Sequence, residues 1–522
     1  MPSFHVIESV SEPELLRLGE ELAFIARRGD LIALSGELGA GKTTLARAII
    51  HALMGNKDEE IPSPTFTLVQ TYATPRMPVA HFDLYRLGNA SELDELGLDL
   101  ALKSGIALVE WPERADERLP EDRLDIRLED AASGATRRVV LTGNGAWVAR
   151  VDRFIAMRKL IKGNGGHSNG GGSVNGGSGG YELRYLQGDA SVRRYGRILR
   201  RDAPGAILMD WPRQPDGPPI RNGLPYSRLA HLAEDVRPFV AIADALRAAG
   251  LSVPHIQAQD LDQGFLLLDD LGDRVFGREM LNGTDQATLW RAATDALVAL
   301  SHTPAPQFLP VAGGGEHQVA AYDAEAMAIE TELIVDWYWP ALRGGTVADD
   351  ARAEFAGLWG EVFTQLGKMP AAWVLRDYHS PNLLWLPERE GIARVGVIDF
   401  QDAMRGPAAY DLVSLLQDAR VDVAGELEAQ LFDHYCAGAA SRGGFDRDAF
   451  AFAYAALGAQ RNTKIVGIFA RLAKRDGKPG YLQHVPRLWR YLDRDLAHPG
   501  LAALKGWYER YFPADARAIP VA

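Results

Sequence analysis

Residues 31–44, Leu31-Ile32-Ala33-Leu34-Ser35-Gly36-Glu37-Leu38-Gly39-Ala40-Gly41-Lys42-Thr43-Thr44, decide the fold of the first part of this chain. The apolar run Leu31–Leu34 predicts a short buried strand, the glycines after it a loop, and the spacing from Thr43 to Leu53 a helix. In that setting the loop matches G-x-x-x-x-G-K-[ST]. Gly36, Gly39 and Gly41 let the backbone wrap an anion, so that amide N–H groups and the helix N-terminus face it. Lys42 then reaches the β- and γ-phosphates of a nucleoside triphosphate, and the Thr43 hydroxyl is set to ligate Mg²⁺.

Working outward, Val79 to Asp83 and Ile106 to Glu110 are two further buried strands, each ending in a carboxylate. Strand and helix in alternation predict a parallel α/β domain with its ligand at the carboxyl ends of the strands. Asp83 is placed to hold Mg²⁺ or position an attacking water, and Glu110 ends another strand. Thr65, within Ser63-Pro64-Thr65-Phe66, offers a hydroxyl to a γ-phosphate. The basic stretch from Arg137 to Lys162 reads as a solvated helix face.

Residues 163–180, GNGGHSNGGGSVNGGSGG, hold ten glycines in eighteen positions. So little apolar surface cannot offset ordering entropy, and the segment is expected to be a flexible linker spanning roughly 23 Å that imposes almost no relative orientation on what it joins. The expected division is therefore 1–162, a linker at 163–180, and 181–522.

Beyond the linker the pattern changes. Tyr181 to Leu208 predicts a β-hairpin region, Tyr226 to Ala249 a helix, Gly264 to Leu268 a strand, and the chain from Leu281 onward is mostly helical. A small β-rich lobe before a helical lobe is the α+β plan of a protein kinase. Asp377 and Asn382, five apart in Arg376-Asp377-Tyr378-His379-Ser380-Pro381-Asn382, have the spacing of a kinase catalytic loop. There the Asp accepts the substrate hydroxyl's proton and the Asn ligates a metal. Seventeen residues later a strand delivers Asp399, placed to bind the Mg²⁺ that bridges β- and γ-phosphates. Upstream, Gln187-Gly188-Asp189-Ala190-Ser191 sits where a phosphate-covering loop belongs, with the Ser191 hydroxyl supplementing its single glycine.

Composition excludes several classes. The net charge of −13, acidic on both sides of residue 162, argues against strong direct nucleic-acid binding. Cys436 is the only cysteine, which rules out an internal disulfide framework and a Cys-rich zinc site. No run of eighteen apolar residues and no secretory signal can be found, so the expected compartment is the cytoplasm, without a membrane partner.

Five ordered motifs carry a resemblance in the first part: residues 39–44, Ser63–Val69, His81–Leu87, Glu95–Asp99 and Glu110–Arg114. Residues 1 to about 158 resemble the ATPase subunit of the bacterial threonylcarbamoyladenosine tRNA-modification machinery, a P-loop NTPase. The resemblance implies a weak ATPase that binds a heterodimer of two sugar-kinase-like subunits. It further implies that residues 39–44, Ala40 and Thr44 among them, bind ATP, and that Thr43 and Glu110 hold Mg²⁺. By the same resemblance Asp83 assists hydrolysis, Thr65 lies on a switch segment and Trp111 lies by the nucleotide.

The second part, from Gly188 to about Gly480, resembles the aminoglycoside-phosphotransferase superfamily. Residues 188–195, 376–382, 398–403, 406–412 and 460–465 look like the anomeric sugar kinases of cell-wall recycling. That likeness implies ATP-dependent phosphorylation of the 1-hydroxyl of N-acetylmuramate and N-acetylglucosamine. The alternatives are a phosphotransferase of aminoglycosides or other small alcohols, or a non-catalytic nucleotide-binding module. Two departures stand out. Leu375 occupies the place of a common loop-stabilising histidine, and the strand Ala206 to Asp210 lacks the phosphate-gripping lysine, leaving Arg193, Arg194 or Arg197 as substitutes. Asp411 is expected to cap a helix or support the catalytic loop.

Overall fold

The computed structural model describes residues 2–130, 136–163, 180–186, 193–201 and 203–518, and their contacts divide the chain into two compact units. The first comprises Met1–Pro212 with Ile256–Asp270, and the second Arg213–His255 with Leu271–Ala522.

The first unit opens with β1 (Ser3–Val10), α1 (Glu12–Ile25), β2 (Leu31–Gly36) and α2 (Lys42–Met54). It continues with β3 (Val69–Tyr72), β4 (Val79–Asp83), α3 (Leu98–Ser104), β5 (Ile106–Glu110), β6 (Leu124–Asp130), β7 (Arg137–Gly143) and α4 (Trp147–Gly163). The seven strands form one sheet in the order β1-β7-β6-β2-β5-β4-β3. Its centre, β6-β2-β5-β4, is parallel as the alternating pattern predicts, and β2, β4 and β5 are apolar runs buried on both faces. Its edges are antiparallel, an arrangement the sequence reading did not include. Gly36 ends β2 at φ 136°, and a Cβ there would lie 2.3 Å from the Leu128 carbonyl oxygen, so only glycine turns the chain into the loop.

The expected hairpin region is β8 (Tyr181–Leu186), β9 (Arg194–Arg200) and β10 (Ala206–Asp210), joined by strands Ile256–Asp260 and Phe265–Asp269 into a five-stranded antiparallel sheet. Residues 164–179 of the expected linker, and Ser191 with its loop, lie outside the described residues. The expectation of no fixed orientation across the linker is corrected by what flanks it. Leu183, Ile198, Leu208 and Phe265 of the five-stranded sheet share one buried core with Phe24 and Ile25 of α1 and with Phe154, Met157 and Ile161 of α4. Burying that apolar face stabilises the pair by roughly 25 cal/mol for each Å² removed from water, which a glycine-rich tether does not oppose.

The basic stretch is corrected too: Arg137 to Gly143 is a strand, and the arginines of α4 are turned inward. Arg150 donates to Asp30 at 2.7 Å, Arg153 reaches the fully buried Asp210, and Arg158 pairs with the buried Glu21 at 2.6 Å. These carboxylates lie far away in sequence, so charge clustering along the helix did not disclose them.

In the second unit the helix Arg447–Asp476 is buried for more than half its length and packs against the helices Ala409–Leu416 and Val485–Asp495. Two short ribbons position the chemistry. Ala372–Val374 pairs with Met404–Gly406, and Leu383–Trp385 pairs with Val395–Val397. The loop carrying Asp377 and the turn carrying Asp399 are each held between the same two ribbons. The predicted helix from Tyr226 to Ala249 is instead two helices, Tyr226–Leu229 and Arg237–Ala248. His231, at φ 50°, breaks it, because the Ala230 carbonyl accepts from Arg376 and the Ala233 amide donates to Asp402.

Candidate active sites

In the first unit, the parallel register aligns Asp83 with Glu110 and Leu34 with Glu110, so the ends of β4 and β5 flank the glycine loop. Thr43 Oγ1 donates to the Glu110 carboxylate at 2.9 Å, and the other Glu110 oxygen meets His81 Nε2 at 2.9 Å. Thr65 Oγ1 donates to Asp83 at 2.9 Å, Ser63 to the same oxygen at 3.2 Å, and the Tyr85 amide to the other oxygen at 3.1 Å. Lys42 donates to the carbonyls of Gly36 and Glu37 and lies 3.7 Å from the centre of the Trp111 ring. Burial lowers the Lys42 pKa, with Glu110, Glu113, Asp83 and Glu37 opposing the shift. Trp111 is held at φ 59° and also packs on Tyr85. The structure thus brings Lys42, Thr43, Thr65, Asp83, Glu110 and Trp111 together around the loop formed by Gly36, Gly39, Ala40 and Gly41. Thr44 follows in the first turn of α2.

His81 was missed by the sequence reading. It lies within the quoted motif of residues 81–87 and is fully buried, and it fixes the orientation of the carboxylate that Thr43 also touches.

In the second unit the catalytic loop is pinned from several sides. Asp411 accepts the amides of Leu375 at 2.6 Å and Arg376 at 2.9 Å, and Asp418 accepts the Ser380 amide at 2.8 Å. Burial raises the Asp411 pKa to about 7 against those two backbone donors. Arg376, at φ 72°, donates to the Ala230 carbonyl at 2.7 Å and pairs with Glu330. Glu330 also meets Lys464 at 2.8 Å, Gln460 at 2.9 Å and Tyr322 at 2.6 Å. Burial pushes the Glu330 carboxyl up, but Lys464 and Arg376 outweigh it and bring the pKa to about 2. These contacts, with Asp411, hold the loop that Leu375 leaves without its common histidine. Glu330 was not a sequence candidate; Lys464 lies in the quoted stretch 460–465, but nothing local linked it to Arg376.

Within the loop, burial lowers the His379 pKa, so its imidazole is neutral at neutral pH. Arg420 donates to His379 Nε2 at 3.0 Å, which leaves the proton on Nδ1 to bond the Asp377 carbonyl oxygen at 2.9 Å. Asn382 donates to the same carbonyl at 3.0 Å, and the Asn382 carbonyl accepts the Ile398 amide at 3.1 Å, directly before Asp399. Asp399 stands at φ 64° and accepts from Gln401 at 3.1 Å. Burial raises the Asp377 carboxyl, but His379 when protonated, together with Lys464, Arg376 and Arg461, outweighs it and holds it below the ordinary carboxylate range. An ionised Asp377 is a competent proton acceptor.

Neither donor set is a self-sufficient metal cage: among the described residues no three His, Cys, Asp or Glu side chains converge. One hydroxyl with one carboxylate, and one amide with one carboxylate, suit a Mg²⁺ completed by water and nucleotide phosphates. Of the candidates for the missing lysine, Arg194 donates to the Ile25 carbonyl at 3.1 Å and lies 3.4 Å from Asp210. Arg197 pairs with Asp270 at 2.8 Å, and Arg193 lies 5.0 Å from the Trp211 ring.

Threonylcarbamoyl adenosine biosynthesis protein TsaE is the family whose profile matches residues 9–139, and the phosphotransferase enzyme family matches residues 127–452. An N-acetylmuramate/N-acetylglucosamine kinase of Caulobacter vibrioides is 43% identical over 341 residues, 64% of this chain and 92% of that protein. The Pseudomonas aeruginosa protein of the same name is 35% identical, over 62% of this chain and 86% of that one. The Streptomyces coelicolor tRNA threonylcarbamoyladenosine biosynthesis protein TsaE is 40% identical over 141 residues, 26% of this chain and 94% of that protein.

Proposed function

The chain belongs to two families at once, the TsaE family through its first part and the phosphotransferase enzyme family through its second, and from that premise we propose a bifunctional enzyme. Residues 1–162 form an ATPase supporting threonylcarbamoyladenosine modification of tRNA at adenosine 37, together with a heterodimeric transferase complex. Residues 181–522 form a kinase of the anomeric hydroxyl of N-acetylmuramate and N-acetylglucosamine, with residues 163–180 as the link. Both work in the cytoplasm, as their substrates require. Among the described residues no helix is long and apolar enough to cross a membrane.

The observation that carries the kinase reading is the paired-ribbon geometry, whose two connecting loops bear Asp377 with Asn382 and Asp399. These loops are tied by the Asn382 bond to the Asp377 carbonyl and the Ile398 bond to the Asn382 carbonyl. Asp377 takes the proton of the sugar hydroxyl as its oxygen attacks the γ-phosphorus of ATP, the bond from that phosphorus to the bridging oxygen breaks, and ADP leaves. Asn382 and Asp399 would hold Mg²⁺, which when bound neutralises the charge of the transferring phosphoryl group. In the first site, Thr43 and Glu110 would hold the ion and Lys42 the phosphates. Asp83, with Thr65 donating to it, is left to orient water.

The test incubates the purified full chain with ATP, Mg²⁺ and each amino sugar or an aminoglycoside, and follows sugar 1-phosphate by NMR. Phosphorylation of aminoglycosides with neither amino sugar turned over would overturn the kinase assignment. A second assay adds the transferase heterodimer and reads modified tRNA, which should depend on Lys42.

A further inference from the structure

The second unit contains an open pocket of about 640 Å³ against the turn that follows Asp399, within the range that holds a small ligand. One wall runs through residues 231–235, fixed to the loop region by the Arg376 bond to the Ala230 carbonyl and the Ala233 bond to Asp402. Another wall is Gln401, two residues after Asp399. Its side-chain nitrogen donates to Asp399 at 3.1 Å and to Asp402 at 3.0 Å. Its Oε1, on a residue only 2% exposed, has no hydrogen-bond partner. A buried carbonyl left without a donor is costly, and a ligand N–H or O–H would satisfy it. His317 Nε2, also in the lining, is likewise buried without a partner.

The charges around the pocket are not evenly engaged. Asp323 caps a helix through the Ala326 amide and meets His231 at 3.2 Å. Asp235 pairs with Arg237 at 3.0 Å, and Glu234 accepts from Ser227 at 3.2 Å. Arg213 and Arg405 have no carboxylate partner among the described residues, and Arg405 spends only its Nε, on the Val319 carbonyl. Two arginine forks therefore line a polar pocket whose own carboxylates already have other partners. A fork of this kind recognises a planar carboxylate.

Resting on the kinase reading, we propose that this pocket is the acceptor-sugar subsite. In it Arg213 and Arg405 receive the lactyl carboxylate of N-acetylmuramate, while the Gln401 Oε1 accepts a hydrogen bond from a group that both sugars share. N-acetylglucosamine has no carboxylate, so the arginines decide between the two sugars and Gln401 serves both. Gln401 also ties sugar binding to Asp399, because its amide nitrogen and oxygen belong to one rigid plane.

The experiment uses the full chain with Arg405→Ala, Arg213→Ala and Gln401→Met, each checked for a wild-type thermal transition. Binding of each sugar is measured by calorimetry without nucleotide, and kcat/KM with ATP. Either arginine substitution should lower the N-acetylmuramate to N-acetylglucosamine ratio by roughly 10- to 100-fold, the value of a charge-assisted hydrogen bond. Gln401→Met should weaken both sugars together. Arg213 is exposed at the rim, so its variant tests the idea even where Arg405→Ala unfolds. An unchanged ratio in a folded Arg213→Ala overturns the carboxylate role. Sugars that bind with an arginine-dependent ratio but are not phosphorylated would sink the kinase reading and leave the subsite standing. A wild-type chain that binds neither sugar overturns the subsite.

Discussion

The ring of Phe24, near the end of α1, packs directly on Gly196 of β9: a Cβ on Gly196 would lie 3.0 Å from Phe24 Cε2 and 2.7 Å from Leu183 Cδ1. One residue belongs to the ATPase-like part and the other to the phosphotransferase-like part, and they share one core. Tyr181 donates to the buried Glu21, the Leu183 amide to Glu20 at 2.9 Å, and Arg194 to the Ile25 carbonyl at 3.1 Å along the same seam. Cutting the chain near Ser173 should therefore yield two pieces that co-elute in size-exclusion chromatography. Phe24→Ala leaves a cavity costing about 3–5 kcal/mol, and should release the cut pieces or lower the melting temperature of the intact chain. Pieces that separate freely after cutting alone would show that the seam does not hold in solution.

The two phosphate sites rest on different residues, so they should be separable by substitution. Lys42→Ala removes the cation over the glycine loop and should abolish ATP hydrolysis while sugar phosphorylation persists. Asp399→Asn should do the reverse. Paired assays on each variant check this. Loss of both activities from either change, in a protein with an unaltered thermal transition, would mean that the sites are coupled.

Asp377→Asn should lower kcat for sugar phosphorylation by at least roughly 10²-fold, the usual loss with a general base. Because its neighbours hold the carboxyl below its ordinary value of 3.8, this group should put no acid limb into kcat/KM across the neutral range. Steady-state kinetics at stepped pH reads both. A variant within a few-fold of wild type would remove Asp377 from the base's role.

The grouping of each candidate site was legible where its parts are close in sequence. The glycine loop, Lys42 and Thr43 form one contiguous stretch, and Asp377, Asn382 and Asp399 lie in the two loops that join the same pair of ribbons. What escaped depends on partners brought in by folding. Arg376 and Glu330 are 46 residues apart, and Arg158 lies 137 positions after Glu21, so no local period links them. The long helix predicted over residues 226–249 failed for a related reason. Arg376 claims the Ala230 carbonyl from another element, and the helix stops there. The antiparallel edges of the first sheet escaped for the same reason, because short strands do not announce their partners.

The buried triad at the base of the catalytic loop supplies the last prediction. Glu330 faces Arg376 and Lys464, all within the core. Glu330→Gln leaves two cations without their counter-ion and should destabilise the second unit by about 3–5 kcal/mol at neutral pH, read by denaturant unfolding of the full chain. The sign with pH follows from the depressed carboxyl. Folded, it titrates at about 2; unfolded, it returns to its ordinary 4.5. Its stabilisation is therefore complete above 4.5 and drains away as pH falls toward 2. The gap between wild type and Glu330→Gln should narrow over that interval, because the wild-type carboxyl becomes the neutral group that glutamine imitates. A gap that stays constant as the pH is lowered would mean that the triad is held by packing rather than by charge. The loop position of Asp377 would then depend on shape alone.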